Sequence, residues 1–420
     1  HLAAQSRVND WQHHASVLDF TDMVEYKGTI YFASHGGLVI FNPAAKYFST
    51  YASEAGFSRI NLESIGSDDK RNFWTGSGEP IGEINIFDPS ENRVVKIFDR
   101  NTWNEDFTAV TDFVSADDRM FAVCQINTDW GILEFSTDNN YSYKDYYFNF
   151  PVNFKEIKNI SIAGDNLYVT TTSHLICANY KNSDLKNPGS WELIYESDNI
   201  SNTILFNDKV LFGVTNDIYT VTGTETEVYI YNVGGNINHL SGNSDNILAA
   251  TTKGLVEIDN ENNFTDISGR EFEQAFYFQN KIAGRPENNG FYIYDGALNQ
   301  YIPNTSLSNT NTAVCIDDQN RIIAGSTGGF SILCDQGWKN IVRTDEKKHV
   351  HSETVDWNYF AGDTLHYARV SSRIYSIVQR SDGFLFASVY GASIKNGQEG
   401  ALVKFNPDDL SSYTLFDTTD

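Results

Sequence analysis

A short hairpin pattern recurs along the whole chain and constrains its fold more than any other feature. Its clearest copy runs from Ile30 to Pro43, where two short apolar runs flank Gly36-Gly37. Each run is too short for a helix, and adjacent glycines readily adopt the positive φ angles of a tight turn, so the segment predicts a β-hairpin. Nine copies occur, which begin at residues 30, 73, 120, 167, 210, 247, 282, 322 and 384. Such a repeat predicts an architecture of similar, adjacent units.

The sequence around each hairpin adds one strand on either side. In the first copy, a run from residue 16 to 24 precedes the hairpin and an alternating run from 46 to 51 follows it. Successive copies among the first eight begin 35 to 47 residues apart. Four short strands per unit at this spacing, with almost no helix signal, are typical of propeller blades. We therefore predict an all-β fold, a β-propeller of four-stranded antiparallel blades.

The number of blades is less constrained than their type. The leading interpretation is a ring of eight blades within residues 1–343, with blades from residue 16 onward and an orphan strand near 10–16 that closes the ring. The ninth copy begins 62 residues after the eighth, so 344–368 form an insertion or junction. Residues 369–420 are then a ninth blade-like unit that closes the ring or starts a further module. The alternative is a ring of seven blades, with the last two units starting a further module.

Composition and charge exclude several classes of partner. The chain has 55 acidic and 30 basic residues, a formal charge of -25, which disfavours nucleic acid and anionic lipid surfaces. The chain has no window of 18 uninterrupted apolar residues, so the sequence predicts no transmembrane segment. We expect no cofactor; the acidic charge could attract Ca²⁺, but no D-x-D-x-D-G loop or calcium-binding nonapeptide localises a site. The first residues carry no leader, so the protein is either cytosolic or has already lost a signal peptide.

The predicted turns fall into two classes, which distinguish the two faces of the ring. First-to-second and third-to-fourth strand turns are short and alike, as in Asp117-Asp118-Arg119 and Asn42-Pro43. Second-to-third strand turns and the connectors between blades vary, and strand alternation places both on one face. Binding residues lie disproportionately on variable loops held by rigid strands. The candidate ligand residues on this variable face are His35, Glu79, Asn127, Asp129, Trp130, His174, Arg285, Glu287, Asn288 and Tyr390.

Two kinds of candidate stand out within this set. His35 and His174 occupy similar turns in blades one and four, roughly across the ring, and could face one ligand. The aromatic and amide side chains, which could stack on sugars and hydrogen-bond them, are Trp130, Tyr390, Asn127 and Asn288. Either feature would place a ligand on the variable face; the alternative for the histidines is that both are ordinary turn residues.

The best-formed copies resemble the two-component regulator propeller repeat. Its pattern of a Gly-Thr-x-x-Gly-Gly-Leu core followed by Asp-Pro is carried by Phe73–Gly78 with Ile84–Pro89, and by Ala324–Phe330. The opening Trp11–Ser16 and the link Ala55–Ser58 are similar to the N-terminal propeller of a surface component of the type IX secretion system. The resemblance implies an extracellular, cell-surface or periplasmic module, with its signal peptide removed, in a larger surface or secretion assembly. It alternatively implies the sensor part of a larger signalling protein.

No catalytic signature accompanies the repeats. The sequence has no G-x-S-x-G, H-E-x-x-H or phosphate-binding glycine loop. We therefore expect a non-enzymatic module that binds protein or glycan on its variable face, without catalytic residues or metal ligands. The alternative is a polysaccharide lyase or glycoside hydrolase on the same scaffold, for which Glu79, Asp129 and Glu287 would be the carboxylate candidates.

Overall fold

The computed structural model describes residues 14–103, 105–138, 140–222, 225–287, 290–326, 329–343, 362–365, 373–390 and 400–416. Within these ranges the regular secondary structure is almost entirely β. The helical exceptions there are one short helix, α1 (Arg100–Trp103), and 3₁₀ turns at Ser53–Ala55 and Pro188–Ser190.

Within the described ranges, nine sheets follow one another along the chain, each built from consecutive antiparallel strands. The first four sheets comprise β1 (Phe20–Tyr26), β2 (Thr29–Ser34), β3 (Gly37–Asn42), β4 (Tyr47–Tyr51); β5 (Leu62–Ser67), β6 (Phe73–Ser77), β7 (Ile84–Asp88), β8 (Arg93–Phe98); β9 (Ala109–Ala116), β10 (Arg119–Ile126), β11 (Asp129–Ser136), β12 (Ser142–Tyr147); and β13 (Ile157–Ala163), β14 (Asn166–Thr171), β15 (His174–Asn179), β16 (Glu192–Glu196). The next three comprise β17 (Ile200–Phe206), β18 (Lys209–Val214), β19 (Asp217–Thr222), β20 (Glu225–Ile230); β21 (Ile237–Gly242), β22 (Asn246–Thr251), β23 (Gly254–Asp259), β24 (Phe264–Ser268); and β25 (Gln274–Phe278), β26 (Lys281–Arg285), β27 (Phe291–Tyr294), β28 (Leu298–Tyr301).

The eighth and ninth sheets complete the series. They comprise β29 (Ala313–Ile316), β30 (Ile322–Gly325), β31 (Gly329–Cys334), β32 (Gly337–Arg343), β33 (Gly362–Leu365); and β34 (Arg373–Gln379), β35 (Leu385–Tyr390), β36 (Gly400–Asn406), β37 (Asp409–Phe416). The eighth sheet differs from the others because β33 joins it as a fifth strand, parallel to β32.

The described chain forms two compact units. The first contains Phe20–Tyr301 and the first seven sheets; the second contains His14–Asp19 and the chain from Ile302 onward. In the first unit the first strands of successive sheets lie side by side from β1 to β25, and β25 returns to β1. This closed arrangement confirms the predicted all-β propeller. Its ring has seven blades, which was the alternative count, and not the eight of the leading interpretation.

Polar contacts join the seventh sheet to the first. The Gln274 side chain bridges the backbone of Met23: its Oε1 accepts a hydrogen bond from the Met23 N–H at 3.1 Å, and its Nε2 donates to the Met23 carbonyl at 3.3 Å. Beside it, Arg285 Nη1 donates to the carbonyl of Phe20 at 3.0 Å. These contacts bind side chains of the seventh sheet to the backbone of β1 in the first sheet.

An aromatic cluster fills the same junction. The Phe291 side chain is fully buried, and its ring lies 4.8 Å from that of Phe32 and 4.9 Å from that of Phe41, both in the first sheet. Burying such a ring contributes about 2–3 kcal/mol. The repeat alone does not show which two sheets meet at the closure, because that depends on how well these side chains fit across it.

Most of the predicted closing strand near residues 10–16 lies outside the described ranges. Residues 10–13 lie outside the described ranges, and residues 14–18 form no strand. Side chains of the second unit hold this segment instead: Ser16 N–H donates to Asn309 Oδ1 at 2.6 Å, and the Thr305 hydroxyl donates to the Ala15 carbonyl at 2.9 Å. The compact units divide after Tyr301. Most of the predicted insertion at 344–368 lies outside the described ranges.

A glycine at the end of a second strand allows neighbouring sheets to approach. A Cβ atom on Gly76 would lie 2.3 Å from the carbonyl oxygen of Val110 in the next sheet. The equivalent atom on Gly213 would lie 2.9 Å from the Ile237 side chain, again in the next sheet. Gly76 and Gly213, which lie within second strands, therefore serve sheet-to-sheet packing and are not turn residues.

Candidate functional site

Six first strands of the seven-sheet ring carry a β-bulge near their beginning. In β1, for example, Phe20 pairs with Ser34 and Asp22 with Ala33, which leaves Thr21 unpaired. Bulges re-aim side chains and are common next to functional sites. The unpaired residues of the six bulges are Thr21, Glu63, Thr111, Lys158, the pair Ser201 and Asn202, and Asn238. All of them line one cavity at the centre of the ring.

This central cavity has a volume of about 510 Å³ and a polar wall. All seven first strands or the residues just before them contribute to it. The wall includes the carboxylates of Asp22, Glu63, Asp112 and Glu273 and the cations of Lys158 and Arg285. Among the described residues that line the cavity, none is Phe, Tyr or Trp. The arrangement favours hydrogen bonds and charge over apolar stacking.

The cavity lies at one particular end of the ring. Asn199 and Asn236, which line it, belong to connectors that lead into β17 and β21. Thr252 lies in the turn between β22 and β23, and Arg285 ends β26. Connectors between sheets and second-to-third strand turns meet at this end, so the cavity lies on the face that the sequence distinguishes as variable.

Two of the carboxylates also tie neighbouring sheets together. Asp112 Oδ2 accepts hydrogen bonds from the Ile160 N–H and from Asn159 Nδ2, both at 2.7 Å, across the junction of the third and fourth sheets. Asp22 Oδ2 accepts from the Ile65 N–H at 2.9 Å, across the junction of the first and second. The bulges thus place side chains that both line the cavity and bridge adjacent first strands.

An amide bridges the fifth and sixth sheets in the same way. Asn202 Oδ1 accepts a hydrogen bond from the Leu240 N–H at 2.7 Å, and Asn202 Nδ2 donates to the Leu240 carbonyl at 2.8 Å. One side chain therefore satisfies both backbone groups of a fully buried residue.

The electrostatics of the wall favour protonated carboxyl groups. Loss of solvent around Asp112, together with repulsion from Asp22, raises the pKa of Asp112 to about 8. Burial also raises the pKa of Asp22, although hydrogen bonds and the nearby Arg285 cation oppose the shift. The two carboxyl groups therefore resist carrying full negative charge at the same time.

His239 is neutral in this environment. Burial lowers its pKa to about 4, and the positive charge of Arg285 adds to that effect. The imidazole bonds the backbone of Ala275, while its Nδ1 has no partner. Burial raises the pKa of Glu273, against the attraction of Arg285.

Four polar atoms of the cavity wall make no hydrogen bond within the described protein. They are Thr111 Oγ1, Asn159 Oδ1, His239 Nδ1 and Arg285 Nε. Buried polar atoms normally have hydrogen-bond partners, so each of these four atoms is expected to bind one. The wall thus retains hydrogen-bonding capacity that a polar ligand or water would use.

The two histidines predicted from the sequence lie in or directly beside second-to-third strand turns, each next to a carboxylate. His35 Nε2 is 3.3 Å from Glu63 Oε1, and Glu63 lines the cavity. His174 begins β15; its Nδ1 is 2.9 Å from the Ser173 hydroxyl and its Nε2 is 3.9 Å from Glu196. Neither histidine lines the cavity.

The structure separates most of the remaining predicted residues from the cavity. Glu79, Asn127, Asp129 and Glu287 are exposed in or beside second-to-third strand turns of three different sheets. Trp130 is half-buried against the core between the third and fourth sheets.

The last three predicted residues differ in their position. Among the predicted residues whose side chains are described, Arg285 alone lines the cavity. Asn288 lies outside the described residues. Tyr390 ends β35 in the second unit, and its side chain also lies outside the described part.

The inward-facing residues of the first strands were not predicted from the sequence. A signal for them exists: the strands begin apolar-polar-polar-apolar, as in Phe20–Met23 and Val110–Phe113. Two adjacent polar residues break the period-two alternation of a strand and indicate a bulge.

Metal ligands and membrane spans were also sought among the described residues. No three His, Cys, Asp or Glu side chains cluster there as metal ligands would. The helices in those ranges include none with the length and apolar character needed to cross a membrane.

Comparison with known proteins places the fold. No family model and no curated protein matches the chain. Among solved structures, it matches the extracellular domain of BT4673, assigned to the hybrid two component systems of B. thetaiotaomicron, with a TM-score of 0.51 and 14% identity over 96% of this chain and 57% of that one. A second structure of a BT4673 extracellular domain gives a TM-score of 0.50 and 12% identity over 96% of this chain and 72% of that one. The fold is shared with these extracellular domains.

The predicted resemblance to two-component regulator propellers is thus confirmed at the level of fold. PorZ, a surface component of the type-IX secretion system of Porphyromonas gingivalis, also matches, with a TM-score of 0.35 and 12% identity over 97% of this chain and 60% of PorZ. The chain spans a little over half the length of the first BT4673 structure.

Proposed function

We propose that this chain is a non-enzymatic binding module of an extracellular, cell-surface or periplasmic protein, and that it takes a glycan or protein ligand at the variable end of the seven-sheet ring. The observation that carries the proposal is the polar cavity there, whose wall holds four hydrogen-bonding atoms without partners. The extracellular location of the BT4673 domains supports the same placement for this chain.

The wall favours a glycan residue over an apolar protein side chain. The cavity volume of about 510 Å³ lies within the usual range of small-ligand pockets. Sugar hydroxyl groups both donate and accept hydrogen bonds, and the wall offers a mixture of donors and acceptors from Arg285, Asn159 and Thr111. An apolar side chain would leave all of these groups unsatisfied.

A sensor role follows from the same binding function. One structural neighbour is the extracellular domain of BT4673, assigned to the hybrid two component systems, so ligand binding in this chain would be the input step of such a protein. The bound glycan would then be the signal that the rest of the protein reads.

A glycan array followed by calorimetry tests the proposal, using a variant that leaves packing intact. Thr111→Val removes the unpaired hydroxyl while it keeps the shape of the side chain, and Thr265→Val does the same on an exposed outer strand. We expect Thr111→Val to weaken binding of the glycan found on the array by about tenfold, since one hydrogen bond is lost. Thr265→Val should bind as the wild type does.

Two results would contradict the proposal. Equal affinities of both variants for every bound glycan would place the binding site outside the cavity. Turnover of a polysaccharide, abolished by replacing Glu79, Asp129 or Glu287, would support the enzymatic alternative.

A further inference from the structure

We infer that the ligand of the central cavity carries a protonated amine, as an amino sugar does, and that its ammonium group lies beside the carboxyl groups of Asp22 and Asp112. This inference rests on the proposed function and names the chemical class of the ligand at the same site.

The charge of the wall is the first observation. The titratable residues that line the cavity from all sides are Asp22, Glu63, Asp112, Lys158, His239, Glu273 and Arg285. Four are acids and two, Lys158 and Arg285, are bases, while His239 is neutral because burial lowers its pKa to about 4. One of the cations, Arg285, already donates to the Phe20 carbonyl. Acidic groups therefore outnumber basic groups within one enclosed space.

The unpaired atoms are an independent observation. Asn159 donates through Nδ2 to Asp112, which leaves its Oδ1 as an acceptor. His239 bonds the Ala275 backbone through one ring nitrogen, which leaves the lone pair of Nδ1 as an acceptor. An ammonium group brings three donors and no acceptor, so it suits acceptors such as Asn159 Oδ1, which lies beside Asp112, better than a carboxylate group does.

The two aspartates supply the electrostatic part of the site. Asp22 and Asp112 repel one another, and burial raises the pKa of both. A nearby cation favours their ionised forms, so an ammonium ligand would lower the pKa of Asp112 and release its proton to solvent. A neutral sugar has no charge with which to cause that release.

The charge of the whole chain acts in the same direction. A formal charge of -25 attracts cationic ligands over a distance and slows the approach of anions. Amine ligands would therefore bind less tightly as salt screens this attraction.

Isothermal titration of the full chain with glucosamine tests the inference, with glucose and N-acetylglucosamine as neutral controls of nearly the same shape. The titrations are run at pH 6, where the glucosamine amine is protonated, in two buffers of different ionisation enthalpy. We expect glucosamine to bind at least tenfold more tightly than either neutral sugar and to release up to one proton per bound molecule. Asp112→Asn should abolish this release and remove most of the preference. Asp266→Asn, on an exposed outer strand, should change neither.

The possible results separate the inference from the proposed function. No binding of glucosamine, or equal affinities for the three sugars without proton release, would overturn the inference. In the case of equal affinities, the proposed glycan-binding function would stand. Should Asp112→Asn fail to fold, the proton release of the wild-type chain, compared between glucosamine and glucose, is sufficient to support or overturn the inference. A failure of Thr111→Val to affect any glycan would instead count against the proposed function itself.

Discussion

Replacing Asp112 by asparagine should make the stability of the ring less dependent on pH. The pKa of Asp112 is raised from 3.8 to about 8 in the folded chain, first by burial and then by repulsion from Asp22. The folded state therefore holds a proton that the unfolded state has lost. Stability from this group is fully present below pH 3.8 and is lost as the pH rises through about 8.

The slope of unfolding free energy against pH sets the size of the expected difference between the wild type and Asp112→Asn. One proton of difference corresponds to about 1.4 kcal/mol per pH unit inside that window. Since Asp112 lines a cavity that admits solvent, we expect about half of this slope, or about 2 kcal/mol lost between pH 5 and pH 8. An asparagine can still accept the Ile160 N–H, so the bridge to the fourth sheet remains in the variant.

Urea unfolding of the wild type and of Asp112→Asn at pH 5, 6.5 and 8 measures the difference. Other groups titrate equally in both proteins and cancel, so the wild type should lose stability relative to the variant as the pH rises. Two parallel stability curves would show that Asp112 is ionised in the folded chain. The electrostatic description of the cavity would then be wrong.

Two further substitutions test how neighbouring sheets are held. Asn202→Ala should lower the free energy of unfolding in urea by about 2–4 kcal/mol, because it leaves the buried N–H and carbonyl of Leu240 without partners. Its control, Asn182→Ala at an exposed turn, should stay within about 0.5 kcal/mol of the wild type. Gly76→Ala should lower the free energy of unfolding by about 2–3 kcal/mol or more in the same assay, since its Cβ would meet the Val110 carbonyl. In the control Gly269→Ala, the new Cβ meets no atom within 4 Å, so this variant should be close to neutral. Equal effects of the two substitutions would refute the packing role of Gly76.

Strands and their grouping into sheets could be predicted from the sequence because both depend on local patterns. The alternation around Gly36-Gly37 fixes a hairpin, and β2 and β3 flank it in the structure. The number of sheets in the ring could not be predicted in this way. Closure depends on contacts between segments more than 200 residues apart, such as Gln274 with Met23, and one repeat unit resembles another too closely to reveal them.

The candidate site was predicted only in part, for a related reason. Variable turns were an informative guide to the correct end of the ring, and they identified Arg285. The cavity wall, however, comes mainly from bulges at the beginning of first strands, where residues such as Asp112 and Asn159 interrupt an apolar run. That these residues line a common cavity is evident only when the seven first strands are placed around one axis.

Closure of the ring by the seventh sheet against the first is the feature on which the cavity and its ligand depend. A double-mutant cycle on Phe41 and Phe291, whose rings lie 4.9 Å apart at an angle of 74°, measures that contact most directly. Phe41→Leu, Phe291→Leu and the double variant are compared by urea unfolding. We predict a coupling energy of about 0.5–1.5 kcal/mol between the two positions. Additive effects, with no coupling beyond experimental error, would mean that these sheets do not meet, and the seven-sheet ring would be contradicted.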